Sequence, residues 1–134
     1  MNETQPYIET IKTTLDKYPE ITIATVFGSV TKNRMTPNSD IDIGIAGDTL
    51  FTFDFKNDVM IALSSALSRE VDIVDMNSVS GTILKQALSS GIIVKKTSSI
   101  TLAYLMKKLW YNQADMMPLV DRMTNAHIRR FIHG

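Results

Sequence analysis

Cysteine is absent from the 134 residues, which removes disulfides and thiol chemistry and fits a reducing compartment. Charge of one sign is missing too: 14 basic and 14 acidic residues cancel, whereas a nucleic-acid binder usually carries a basic excess. Nucleic acid is therefore not the expected direct substrate. No apolar run approaches the roughly 18 residues that would span a bilayer. The opening MNETQPYIET has neither a basic stretch nor an apolar one, so no secretory signal is read there. These absences point to a cytoplasmic protein of one-domain size, without a membrane span.

What is there suits a globular chain, since a 44% hydrophobic share is enough to build a core. Ile8, Ile11, Leu15 and Tyr18 recur at helical spacing over residues 5–18, with Pro6 in the first turn. ITIATVFGS is rich in β-branched residues and ends in Gly-Ser, the pattern of a buried strand. SDIDIGIAG alternates, with Ile41, Ile43 and Ile45 on one face and Asp40, Asp42 and Gly44 on the other. Phe55, Val59, Leu63 and Ala66 mark a helix over residues 53–68, and REVDIVDM is a third short strand. SVSGTILKQALSSG reads as a helix with a serine cap and a stop at Gly91. IIVKK follows as a fourth strand or an extended tail of the sheet. Two helices end the chain, the second started by Pro118.

This order implies an α/β (α+β) body over residues 1–96 and a helical extension over residues 97–134. Leu105, Met106, Leu109, Trp110, Met116, Met117, Leu119, Val120 and Met123 make the extension apolar and rich in methionine. Such a stripe packs on the core or offers an adaptable contact surface to a partner or a second copy. His127 and His133 sit at its basic end and are read as surface residues rather than ligands.

The chemistry concentrates in VFGSVTKNRMTPNSDIDIGI, residues 26–45. Gly28-Ser29 closes a hydrophobic strand. Glycine admits a ligand close to the backbone, and N–H groups at such a turn with a hydroxyl beside them suit a phosphate. Asp40 and Asp42, two apart on a strand, point the same way. Paired carboxylates repel and raise each other's pKa unless a cation lies between them, and hard oxygen donors suit Mg²⁺, or Mn²⁺. Asp72, central in EVDIVD, joins them if its strand pairs beside theirs, as a third ligand or as a base. Asp75 falls on the opposite face and is expected to cap the following helix, with Glu70 a solvated edge residue.

Gly-Ser, ten residues, DID, and VDIVD about thirty residues later together resemble the polymerase-β-type nucleotidyltransferase superfamily, most closely the minimal nucleotidyltransferases. The resemblance covers residues 21–94. It implies a small mixed sheet packed on helices. It also implies Gly28 and Ser29 as the turn that holds nucleotide phosphates, with Asp40, Asp42 and Asp72 as catalytic metal ligands. Relatives carry a run such as Ala-Arg-Gly after Gly-Ser. Here the segment is Val30-Thr31-Lys32-Asn33-Arg34, without the glycine but with Lys32 and Arg34 to face a triphosphate. The family further implies transfer of AMP from ATP, with a HEPN-type RNase toxin as partner and its tyrosine as acceptor, the nucleotidyltransferase being the antitoxin. A small-molecule acceptor such as an aminoglycoside, taken with a helper subunit, and an antitoxin acting by binding alone are the alternatives.

Overall fold

The computed structural model describes residues 4–28 and 40–116. Its elements run α1 (Thr4–Leu15), β1 (Ile23–Phe27), β2 (Ile41–Ala46), α2 (Phe53–Leu67), β3 (Val71–Asp75), α3 (Gly81–Ser89), β4 (Ile92–Lys96) and α4 (Ser99–Met116). The helix expected from Pro118 onward lies outside the described residues, as do Met117, Leu119, Val120, Met123, His127 and His133. Among the described residues no helix is long and apolar enough to cross a membrane.

The four strands form one mixed sheet in the order β3-β2-β1-β4. β1 pairs antiparallel with both β2 and β4, whereas β2 and β3 run parallel. A parallel pair needs a crossover connection, and α2 supplies it. IIVKK is thus a true edge strand.

Strand parity divides the apolar residues between two faces. Ile41, Ile43 and Ile45 of β2, with Ala24, Val26, Val71 and Val94, meet Ile8, Ile11 and Leu15 of α1 and Val59, Leu63 and Leu67 of α2. Each isoleucine of β2 is fully buried, which contributes roughly 1.5–3 kcal/mol per side chain. On the other face, Ile23, Phe27, Ala46 and Met76 meet Leu84 and Ala87 of α3 and Leu105 and Leu109 of α4.

Most boundaries follow local rules. Thr52 caps α2, its hydroxyl accepting a hydrogen bond from the Phe55 amide at 3.1 Å. The buried stripe of α2 continues through Leu67 rather than Ala66, which is exposed. Tyr18 lies past the end of α1 yet still packs, half-buried, against the first cluster. α1 ends under Lys95, whose ammonium donates to the Leu15 and Tyr18 carbonyls at 2.9 and 3.0 Å, a cation at a helix C-terminus. Burial holds the Lys95 pKa below the usual lysine value, although Asp16 and Glu20 pull it the other way.

Asp75 does not cap α3, whose N-cap is Ser80. Its buried carboxylate accepts from the Phe51 amide at 2.8 Å and the Asn77 amide at 2.9 Å. Asn77 in turn donates to the Gly47 carbonyl at 2.9 Å, and Lys108 of α4 donates to the Asn77 carbonyl at 2.9 Å. One carboxylate therefore ties together the chain leaving β2, the chain leaving β3 and, through Asn77, α4.

Asp75→Ala should strand two amides and cost about 3 kcal/mol, the scale for hydrogen bonds to a charged group. Urea denaturation would show it as a lower midpoint, with Glu70→Ala, an exposed control, within about 0.5 kcal/mol of the parent.

Candidate active site

The site is assembled at the end of the sheet opposite Asp75. Antiparallel register sets Phe27, the last residue of β1, beside Asp42. Parallel register sets Asp42 beside Asp72. Both aspartates share the face that carries the second apolar cluster, but they sit beyond the part that α3 and α4 fill. Moving inward along β2, Gly44 is paired with Thr25, and a side chain there would press on Thr25 Oγ1 at 3.0 Å and Met76 Sδ at 3.1 Å. Gly44 thus lets Met76 seal the cluster directly beneath the carboxylates. Thr25 has a fully buried hydroxyl without a hydrogen-bond partner.

Gly28 turns the chain out of β1 with φ at +87°, and a Cβ on it would collide with Asp42 Oδ2. Two constraints thus require glycine here: the left-handed backbone and the carboxylate lying against the turn. Gly28 and the first aspartate of β2 thus lie against each other.

The Asp42 carboxyl has its pKa raised first by burial, then by the charges of Asp72 and Asp40, and by a hydrogen bond with Asp72. Paired carboxylates of this kind are the arrangement that a nearby cation would relieve. Asp72 and Asp40 are both exposed, Asp40 immediately before β2 begins. Among the described residues no three His, Cys, Asp or Glu side chains close around a single ion. The fold brings Asp42 and Asp72 together and leaves Asp40 at the rim. The donor set, hard oxygens only, fits a divalent ion whose shell is completed by water and phosphate. Ser29, Lys32 and Arg34 lie outside the described residues.

A mixed four-stranded sheet with a glycine turn against a carboxylate pair defines an α+β nucleotidyltransferase-type domain. A family model described as Polymerase beta, Nucleotidyltransferase matches residues 9–100, and the chain belongs to that family. It is 32% identical over 106 residues to the protein adenylyltransferase MntA of Shewanella oneidensis, an alignment covering 78% of this chain and 65% of that protein. The chain thus spans just under two thirds of the length of the curated relative it matches. In fold it is similar to a chain of a toxin-antitoxin crystal structure with AMP-PNP, at TM-score 0.68 and 24% identity over 93% of this chain and 98% of the other. It is also similar to a chain of the tri-AMPylated Shewanella oneidensis HEPN toxin in complex with MNT antitoxin, at TM-score 0.64 and 22% identity over 96% and 98%.

A raised carboxyl pKa has a defined linkage sign. Asp42 favours the folded state below its unfolded value of about 3.9, and that benefit is lost as pH climbs through its higher folded value. Asp42→Asn should therefore stabilise the protein at neutral pH, and the gain over the parent should shrink towards pH ~4. Thermal unfolding of both proteins between pH 4 and 8 measures this; a gain that grows towards acid would contradict it.

Gly28→Ala should cost roughly 1–3 kcal/mol in backbone strain, with the clash added. Asp42→Ala in the same background should recover the clash portion, a coupling that a double-mutant cycle in urea would read.

Proposed function

We propose that this chain is a divalent-metal-dependent nucleotidyltransferase that moves AMP from ATP to a tyrosine of a HEPN RNase toxin, acting in the cytoplasm as that toxin's antitoxin. The observation that carries this reading is the Asp42–Asp72 pair held against the Gly28 turn. The adenylyltransferase relative and the fold shared with the AMP-PNP and AMPylated-toxin complexes support the nucleotide and the acceptor.

In the reaction, the phenol oxygen attacks the α-phosphorus, the bond from phosphorus to the bridging oxygen breaks, and pyrophosphate leaves. Asp40, Asp42 and Asp72 would hold Mg²⁺ or Mn²⁺, which supplies charge neutralisation at the phosphates and acidifies the entering hydroxyl. The rest falls to the chain itself. Gly28 clears the approach of the triphosphate to the backbone, and Ser29, Lys32 and Arg34 balance its charge. Asp42, half-buried and packed between β1 and β3, is a fixed ligand. Asp72, exposed on an edge strand of the sheet, can receive the phenol proton. No enzyme nucleophile is needed, consistent with a chain that has no cysteine. Met106 and Trp110, 50% and 54% exposed on α4, support a contact role for the extension beyond residue 96.

Incubation with a HEPN protein encoded beside this chain's gene, Mg²⁺ and ATP labelled at the α-phosphate should label the partner. Asp42→Asn and Asp72→Asn should each reduce labelling at least about a hundredfold, the scale for removing one charge-stabilising group. Full inhibition of the partner by those variants without label would sink the enzymatic reading in favour of binding alone.

A further inference from the structure

Asp72 lies on the outermost strand of the sheet. Its neighbours within the fold are β2 on one side and α2 beneath; among the described residues no strand pairs with its outer side. The ladder bonds at either end of β3 show which backbone groups are used. Ile41 donates its amide to the Glu70 carbonyl at 3.0 Å, and the Met76 amide donates to Ile45 at 2.8 Å. In a parallel ladder alternate residues bond to the same neighbour, so residues 70, 72, 74 and 76 face β2. Val71 and Ile73, on either side of Asp72, turn their N–H and C=O groups outward.

The two edges of the sheet are guarded differently. β4 ends in Lys95 and Lys96, and its pairing with β1 is broken by a register shift between Ala24 and Thr25. Lysines and bulges are the usual devices that keep an edge from accepting another strand. β3 has neither: its register with β2 is unbroken over five residue pairs, and its sequence VDIVD contains no lysine or proline. Asp75 is turned in to the Phe51 and Asn77 amides. Asp72 is then the only exposed charge on this edge strand, and it is the charge that the chemistry uses.

We infer that the acceptor enters as an extended polypeptide segment that adds to the outer edge of β3, pairing with Val71 and Ile73 and presenting its hydroxyl residue across from Asp72. A residue directly across from Asp72 shares its sheet face, so its side chain rises on the side where Asp42 and Asp72 stand. Main-chain bonds of this kind hold a segment with little demand on its sequence, and set its direction along the strand. The inference rests on the nucleotidyl-transfer reading and sharpens it: the acceptor is polypeptide and locally extended, not a small molecule or a residue within a helix.

The test uses a peptide of about ten residues around the labelled tyrosine of the partner, made as a series with one backbone N-methyl group moved along it. Edge pairing predicts that N-methylation at alternate residues lowers kcat/KM for AMP transfer by about tenfold, the scale of one lost hydrogen bond, while the residues between tolerate it. Independently, the Val71 and Ile73 amides of the unaltered protein should exchange with deuterium about tenfold more slowly once peptide and a non-transferable ATP analogue are both present. A flat N-methyl profile, or unchanged exchange at both amides, overturns the edge inference while leaving transfer to the intact partner standing. Transfer to a small hydroxylated molecule and to no polypeptide overturns the edge inference and the tyrosine-acceptor reading, and leaves nucleotidyl transfer itself standing.

Discussion

The pairing of Asp42 with Asp72 across two parallel strands is the constraint around which the rest of the chain is organised. Like charges directly opposite on a sheet cost stability on the order of 0.2–1 kcal/mol, and burial adds to the cost for Asp42. A one-residue slip of either strand would separate the carboxylates. A slip of β2 would also turn Ile41, Ile43 and Ile45, all fully buried, out of the core. Three isoleucines at roughly 1.5–3 kcal/mol each outweigh one repulsive pair, so the core fixes the register and the charges have to follow it. Asp75 reinforces this from the far end, holding the exits of β2 and β3 together through the Phe51 and Asn77 amides.

The sheet face that carries Asp42 and Asp72 is divided along its length. Its inner part is apolar and closed by α3 and α4, with Met76 lying over Gly44. Its outer part is left to the carboxylates and the Gly28 turn. Residues two apart on β2, Asp42 and Gly44, therefore live in different solvents, and the small glycine is what permits so abrupt a boundary. A packed floor directly below the carboxylates limits their motion, as the proposed transfer site would require.

Much of this was legible in the sequence because strand periodicity is strict. Alternation in SDIDIGIAG gave the buried isoleucines and their polar opposite face, and the same parity in VDIVD put Asp72 and Asp75 on different faces. Parity says nothing about which strands become neighbours. That Asp72 reaches Asp42 depends on α2 returning the chain parallel to β2, a tertiary fact. Nor does it say what a loop will bring: Asp75 was expected to cap the next helix, but the turn after it supplied the Asn77 amide and the loop before α2 supplied that of Phe51. Lys95 as the cap of α1 was invisible for the same reason, since 80 residues separate it from Leu15. Leu67 in place of Ala66 is a smaller matter of phase, the stripe of α2 advancing by fours from Phe55.

Asp75 and Asp42 end in two different states. Asp75 is the more deeply buried, yet its charge is met by two backbone amides from the chain itself. Asp42 is less buried, yet its neighbours are a second carboxylate and a third nearby. A fold selected for stability alone would have placed the amides where the repulsion is. Among the described residues, the carboxylate that closes the far end of the strand pair is satisfied by amides, whereas the two beside the glycine turn face each other.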